Sequence, residues 1–208
     1  GGFASRAAYP PRPDHSTPRR PNDRRARKDS RLTRLGLLSD SHGDAAVTHR
    51  AVALLLAAGV DRLLYLGDVG TEQVLDALAV AYPPTHPEQG QRVPVHVVFG
   101  NTDYQPEPLI RYARDLGLTV DHPAGRLDLD GKTLAFTHGH LGPVMDQAIH
   151  DGCDYLLHGH THLAADHVVR KTRVICPGAL TRAQPLSVAT LDVKDGTLRT
   201  IPLPGGVG

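Results

Sequence analysis

Five short motifs with metal-binding side chains occur along the chain, and each directly follows a short apolar run. An apolar run bounded by Gly, Asp or His is typical of a buried strand. The residue just beyond such a strand lies at the carboxyl edge of the sheet, where α/β folds keep their chemistry. Asp, Asn and His side chains together favour hard or borderline divalent cations, so the sequence predicts a metal site where these strand ends meet. The motifs are Asp40-Ser41-His42, Gly67-Asp68, Gly100-Asn101-Thr102-Asp103, His138-Gly139-His140 and Gly159-His160-Thr161-His162.

The spacing within two of the motifs predicts shared ligation of one ion. Side chains two residues apart lie on the same face of an extended segment, so Asp40 and His42 are expected to chelate one ion together, and so are His160 and His162. Asp68 follows a glycine that permits close backbone approach, and a single carboxylate can bridge two metals. Two divalent ions, two aspartates and a bridging hydroxide sum to a charge of about +1, which suits an anionic phosphate ester.

Each motif taken alone also fits ordinary structure. Asp40 and Asp68 could be turn or N-cap residues, and Asn101 within Gly-Asn-Thr-Asp fits common turn chemistry, although its neutral oxygen would also keep a metal site cationic. A lone histidine usually belongs to the core or the surface. The metal interpretation depends on the conjunction, because six or seven ligands that all follow apolar runs are hard to reconcile with independent turns.

The first half of the chain alternates strands with amphipathic helices, which predicts a parallel βαβ layer. Asp44 and Thr71 are expected to cap the first two helices, and Gly59 to end the first one. An exposed loop is expected over 83–92, where prolines cluster. The predicted strands cover 32–39, 63–66 and 93–99, and the predicted helices cover 44–58, 71–81 and about 108–116.

The second half is dominated by hairpin patterns. Asp130-Gly131 is a strong hairpin signal, and Asp195-Gly196 is expected to turn the last pair of strands. These patterns predict a second, mixed or antiparallel sheet stacked on the first, which makes the fold class α/β, a four-layer αββα sandwich with two β-sheets flanked by helices. The predicted strands are 127–129, 133–137, 155–158, 167–170, 173–176, 187–192 and 197–202, with a helix near 143–150.

Composition and charge divide the chain into a head and one domain. The 208 residues carry a net charge of +1, but residues 1–34 hold ten Lys/Arg against three Asp/Glu. The Pro- and Arg-rich head, 1–31, has no hydrophobic periodicity and is expected to be disordered, while 32–204 is expected to form the domain. The head could be an arm for nucleic acid or another anionic partner; we favour a tag remnant or an over-called start, since no Met opens the chain.

The remaining composition points to a cytoplasmic protein. Cys153 and Cys176 are the two cysteines, share no close spacing and are expected to be free, buried thiols in a reducing compartment. No apolar stretch approaches the roughly 20 residues of a membrane helix, so no membrane association is expected.

The order of the five motifs resembles the calcineurin-like metallophosphoesterase superfamily. Thr-His-Gly-His at 137–140 and Gly-His-Thr-His at 159–162 resemble its small bacterial and archaeal phosphodiesterase branch. The resemblance implies the αββα sandwich and two divalent metal ions per chain, with Asp68 bridging. It assigns to one metal Asp40, His42, Asp68 and His162, and to the other Asp68, Asn101, His138 and His160.

The resemblance implies a phosphodiesterase, with some activity on monoesters, that works by attack of a metal-bridging hydroxide on phosphorus. Manganese is the preferred metal, and iron, zinc or nickel also suit these ligands. The predicted catalytic residues include four of the metal ligands, Asp40, Asp68, Asn101 and His138. Asp103 is added to them, and it would orient a ligand or position the Asn101 loop. His140 is the sixth predicted catalytic residue, and it would either face the substrate or have a structural role. A small phosphoester is the expected partner, and a homodimer or higher homo-oligomer is left open.

Two positions depart from the superfamily pattern. Many members carry His where this chain has Thr102, and Thr cannot be a general acid near neutral pH, so strong monoesterase activity is not expected. The branch has Asn-Pro-Gly-Ser where this chain has Cys176-Pro177-Gly178-Ala179. The central Pro177-Gly178 is expected to keep the turn. Two alternatives remain: a non-catalytic protein-binding scaffold on the same fold, and a nuclease or RNA-binding protein that uses the basic head.

Overall fold

The computed structural model of the protein describes residues 33–204, so the basic head, 1–31, lies outside the described residues. The strands of the described part are β1 (Arg34–Leu38), β2 (Arg62–Leu66), β3 (Val95–Val98), β4 (Thr119–Val120), β5 (Ala124–Leu129), β6 (Lys132–Thr137), β7 (Tyr155–Leu157), β8 (Ala165–Val169), β9 (Thr172–Cys176), β10 (Ser187–Asp192) and β11 (Leu198–Pro202). Its helices are α1 (Ala45–Ala57), α2 (Glu72–Leu78), α3 (Pro106–Asp115) and α4 (Gly142–His150).

Two mixed sheets form the centre of the fold. The first has the order β11-β10-β1-β2-β3-β4, with β1 to β4 parallel and β10 antiparallel to both of its neighbours. The second has the order β5-β6-β7-β9-β8, with a parallel centre and an antiparallel hairpin at each edge. The final hairpin, β10–β11, therefore joins the first sheet rather than the second sheet predicted for this half of the chain.

Alternation along the strands separates the apolar residues into layers. Leu63 and Tyr65 of β2 pack in the cluster that includes the apolar faces of α1, α2 and α3. Leu64 and Leu66 pack in a different cluster, shared by the two sheets. A third cluster, outside the second sheet, joins strand residues to Ala148 of α4. Because successive strand residues face opposite sides, these layers build the predicted αββα sandwich.

The helix termini follow the sequence signals in part. Asp44 caps α1 by accepting a hydrogen bond from the N–H of Val47 at 2.9 Å, and Gly59 ends it at φ +75°. The prediction for α2 is wrong in two respects. The helix stops at Leu78, since the next residues pair with the segment before β3, and Thr71 makes no side-chain cap hydrogen bond.

Three further features of the described part relate to the sequence predictions. The two-residue strand β4 was missed, because a segment this short carries no periodicity. Cys153 and Cys176 are free and buried, as expected. Within residues 33–204, no helix has both the length and the apolar character needed to cross a membrane.

Candidate metal centre

The five motifs follow β1, β2, β3, β6 and β7, so they lie at the carboxyl ends of parallel strands in both sheets. The imidazole Nδ1 of His138, just after β6, donates to the carbonyl oxygen of Leu66, the last residue of β2, at 2.8 Å. This hydrogen bond joins the two sheets at the edge that carries the motifs. The strand ends therefore converge on one place, as the sequence predicts.

One group of four side chains has the geometry of a metal site. Asp40, His42, Asp68 and His162 each offer one ligand atom, and these atoms all lie within 4.8 Å of one another. Nε2 of His162 lies 3.3 Å from Oδ1 of Asp40 and 3.3 Å from Nε2 of His42. Two carboxylates and two imidazoles at this separation suit a divalent transition metal.

A second group lies on the other side of Asp68. Nε2 of His138 is 3.4 Å from Oδ1 of Asp68 and 3.0 Å from Oδ1 of Asn101. The rings of His138 and His160 have centroids 5.1 Å apart. Since Oδ2 of Asp68 lies 3.7 Å from Nε2 of His42, the two oxygens of this carboxylate face the two groups.

The hydrogen bonds around Asp40 leave one of its carboxylate oxygens for a cation. Oδ2 accepts from the hydroxyl of Ser39 and from the N–H of His160. Oδ1 is buried and has no hydrogen-bond partner within the described residues. A buried anionic oxygen without a donor is costly, and a cation bound between Asp40 and His162 would satisfy it.

Because Nδ1 of His138 donates to a backbone carbonyl, Nε2 is the nitrogen at which a metal would replace the proton that this imidazole otherwise donates to Asp68. That nitrogen faces Asp68 and Asn101. Both groups of side chains therefore offer atoms that suit metal ligation.

Three glycines make room for these side chains. A Cβ at Gly100 would lie 2.0 Å from Oδ1 of Asp68, and one at Gly67 would lie 2.4 Å from Nδ1 of His138. A Cβ at Gly159 would lie 2.7 Å from the hydroxyl oxygen of Ser39. Each approach is closer than a Cβ contact allows, so these three glycines are required by the packing of the site.

Five of the seven predicted ligands have left-handed backbone conformations, with φ between 46° and 68°. Such a conformation costs a non-glycine residue about 1–3 kcal/mol and persists only where surrounding contacts hold it. The expectation that the paired ligands share one face of an extended segment is therefore wrong. The five residues are Asp40, His42, Asp68, His160 and His162.

The left-handed turns also separate the two histidines of the last motif. His162 joins the group of Asp40 and Asp68, whereas His160 lies beside His138. The prediction that His160 and His162 chelate one ion together is wrong, and the separation agrees with the ligand division that the resemblance implies.

Burial and hydrogen bonding set the protonation of the centre. Burial raises the pKa of Asp68, but hydrogen bonds from His138 and the N–H of Thr102 outweigh it, so the pKa lies well below its usual range. Burial lowers the pKa of His42. Asp68 is therefore an anion, and the His42 imidazole favours the neutral form that metal ligation requires.

A family model described as the calcineurin-like phosphoesterase superfamily domain matches residues 33–196. The chain belongs to the calcineurin-like phosphoesterase superfamily. The match covers all five motifs and every strand except β11. No curated protein sequence is significantly similar to this chain.

Solved structures share the superfamily fold at low sequence identity. An archaeal phosphodiesterase is 22% identical with a TM-score of 0.70, over 82% of this chain and 100% of that one. Yfce, a phosphoesterase from E. coli, is 22% identical with a TM-score of 0.57, over 83% and 100%. Vps29 from Entamoeba histolytica, complexed with Zn²⁺, is 15% identical with a TM-score of 0.53, over 82% and 98%. These likenesses show the fold.

Asp103 connects two loops of this calcineurin-like domain. Its Oδ2 accepts from the N–H groups of Val69 and Gly100 at 3.1 and 2.8 Å, and its Oδ1 accepts from the N–H of Gly70 at 2.8 Å. Backbone donors thus occupy both oxygens of the buried carboxylate. This geometry favours the alternative in which Asp103 positions the loop that carries Asn101.

His140 and Thr102 face the centre without belonging to either group of ligands. The ring of His140 lies 5.3 Å from that of His138, and its Nδ1 has no hydrogen-bond partner within the described part of the chain. Thr102 donates its N–H to Oδ1 of Asp68 at 3.0 Å, and its hydroxyl lies 3.5 Å from Nδ1 of His42.

Two residues that contact the ligand loops were missed by the sequence analysis. The N–H and hydroxyl of Thr181 both donate to the carbonyl of Asp40, at 3.1 and 2.9 Å. The hydroxyl of Tyr65 contacts Ser41. Tyr65 sits inside an apolar strand and Thr181 in a loop with no metal-binding motif, so no local signal marks either. At the nearby departure from the superfamily pattern, Gly178 at φ +90° keeps the expected turn.

Proposed function

We propose that the protein hydrolyses phosphodiesters, and some monoesters, at a centre that holds two divalent metal ions. The observation that carries this proposal is the position of Asp68, whose two carboxylate oxygens face two separate groups of ligand side chains. A bridging carboxylate requires this arrangement. Membership in the calcineurin-like phosphoesterase superfamily supports the reaction type.

In this proposal each ion has its own ligands in addition to the bridge. Asp40, His42 and His162 would hold one ion, and Asn101, His138 and His160 the other. When bound, two such ions supply Lewis acidity and an activated water for attack on phosphorus. Manganese is the first candidate, with iron, zinc and nickel as alternatives.

The chain's own residues then determine which substrates react. The proposed ligands include only two carboxylates, so a site with two divalent ions stays cationic and attracts an anionic phosphoester. Thr102 cannot protonate a leaving group near neutral pH, which favours esters with good leaving groups. His140 has an unpartnered buried nitrogen and is proposed to contact substrate, while Asp103 holds the Asn101 loop.

The test is a metal and substrate measurement on the full chain. Metal-free protein is titrated with Mn²⁺, and turnover of bis(p-nitrophenyl) phosphate and a panel of nucleotide diesters is followed. We expect two ions per chain and diester hydrolysis that appears with metal loading. Protein that binds two ions yet leaves every phosphoester intact would favour the scaffold alternative instead.

The proposal retains the division of the chain into a head, 1–31, and a catalytic domain, 32–204, and a cytoplasmic location, which the two free thiols support. Deleting 1–31 tests the nuclease alternative. If RNA affinity and RNA cleavage do not change, the head contributes neither.

A further inference from the structure

The loop after β1 is bonded to the loop after β2 through three backbone N–H groups. The N–H groups of residues 40, 42 and 43 donate to the carbonyl oxygens of residues 67–69, each at 3.0 Å. The N–H of Ser41 points elsewhere and donates to the hydroxyl of Tyr65 at 3.2 Å. A side-chain hydroxyl therefore completes the bonding of the loop that carries two proposed metal ligands.

The same hydroxyl reaches both loops. It lies 2.5 Å from the hydroxyl oxygen of Ser41 and donates to the carbonyl of Asp68 at 3.4 Å. Since each hydroxyl has one proton, Ser41 donates to the oxygen of Tyr65 while Tyr65 donates to Asp68. The hydroxyl oxygen of Ser41 also lies 3.3 Å from the carbonyl oxygen of Val69. Tyr65 and Ser41 are both completely buried, so water does not compete for these bonds.

We propose that Tyr65 is a positioning residue of the metal centre, whose hydroxyl fixes Ser41 and so holds Asp40 and His42 in their ligating conformations. Asp40 and His42 flank Ser41 and have φ of 61° and 46°. A left-handed conformation persists only where surrounding contacts hold it, and a buried N–H without a partner is costly. Without the hydroxyl, the loop lowers its free energy by relaxing to a conformation in which the N–H of Ser41 donates to another acceptor. The inference rests on the proposed metal centre.

Tyr65→Phe in the full chain tests this positioning role, because it removes one oxygen and keeps the ring. Tyr155→Phe is the matched control. Tyr155 is also a buried tyrosine with a hydrogen bond to a backbone carbonyl, that of Val193 at 3.0 Å, but it begins β7, away from the motif edge. Mn²⁺ affinity is measured by calorimetry, and the stability of the metal-free protein by urea unfolding.

We expect Tyr65→Phe to bind Mn²⁺ about tenfold more weakly or worse, in the range seen when residues that orient metal ligands are removed. Tyr155→Phe should leave the affinity unchanged, even where both variants lose similar stability. Ser41→Ala keeps the backbone N–H and should weaken binding less than Tyr65→Phe. If Tyr65→Phe does not fold, Ser41→Ala still tests the inference, because it removes the hydroxyl of Ser41 and leaves that of Tyr65.

The outcomes separate this inference from the proposed function. If wild-type protein binds two Mn²⁺ ions and neither Tyr65→Phe nor Ser41→Ala changes the affinity, the positioning role is overturned and the proposed function stands. If Tyr155→Phe weakens binding as much as Tyr65→Phe, the effect is general destabilisation and the inference is wrong. If the wild-type chain binds none of Mn²⁺, Zn²⁺, Fe²⁺ and Ni²⁺, both proposals are overturned.

Discussion

Oδ1 of Asp68, from the first sheet, lies 3.4 Å from Nε2 of His138, from the second sheet. The two residues are 70 positions apart in sequence, and each lies within two residues of the end of a strand that has a parallel neighbour. Their contact means that the centre forms only when the two sheets stack with their carboxyl edges together. Changes that shift one sheet against the other should therefore impair the site before they unfold the domain.

Asp68→Ala should abolish both metal binding and turnover. The substitution removes the carboxylate that faces both groups of ligands. Each proposed ion would lose a ligand, and the negative charge between the two cations would be lost. Metal content after loading and dialysis, together with the rate on bis(p-nitrophenyl) phosphate, measures the effect. Asp128→Ala, at an exposed position on β5, is the control and should keep both. A variant at Asp68 with full turnover would refute the bridging assignment.

Thr102→His should increase hydrolysis of monoesters. The Thr102 hydroxyl lies 3.5 Å from His42, so an imidazole here stands at the centre and can donate a proton to a leaving group. A positioned general acid contributes roughly 10²–10⁴-fold, and we expect a gain of about tenfold for an unoptimised one. The ratio of p-nitrophenyl phosphate to diester turnover is the measurement. Thr102→Gln is polar but cannot supply the proton, and an equal gain in that variant would contradict this mechanism.

Gly100→Ala should remove metal binding while the domain stays folded. A Cβ at this position would lie 2.0 Å from Oδ1 of Asp68, so the carboxylate proposed to bridge the two ions must move. Gly142→Ala, at the start of α4, is the control, because a Cβ there meets no atom within 4 Å. Calorimetric titration with Mn²⁺ and circular dichroism distinguish the two variants. Equal Mn²⁺ affinity in both would show that the carboxylate tolerates displacement.

The stability contributed by Asp154 should depend on pH. Burial raises the pKa of this residue, but the N–H of Thr133 at 2.9 Å and the ammonium of Lys132 at 3.0 Å outweigh it, so the folded-state pKa is lowered. A carboxyl group with a lowered folded pKa stabilises the protein fully above its unfolded pKa, about 3.9, and loses this contribution as pH falls through the folded value.

Asp154→Asn tests this pH dependence through the free energy of unfolding in urea. The variant should be less stable than wild type at pH 7, and the difference should shrink as pH falls below about 4. Asp128→Asn, at an exposed position, controls for the general loss of charge. A difference between Asp154→Asn and wild type that stays constant from pH 7 to acid would show that the asparagine loses shape complementarity rather than charge.

The sequence alone determined the fold class and most of the elements in their order along the chain, and it predicted which residues carry the chemistry. Strand and helix periodicity is local, so β1 to β3, the helices between them and the hairpin at Asp130-Gly131 could be read from a few neighbouring side chains. A polar motif just beyond an apolar strand is local as well. Because parallel strands align their carboxyl ends, local patterns were enough to predict that the motifs meet.

Only the tertiary structure decided how each side chain is used. The separation of His160 from His162 depends on left-handed backbone conformations, and Oδ2 of Asp40, from a loop distant in sequence, accepts from the N–H of His160. The bonds of Asp103 to backbone N–H groups and of Tyr65 to Ser41 join loops that are distant in sequence. Spacing along the chain carries no information about such contacts, since they are fixed by how the loops after neighbouring strands pack together.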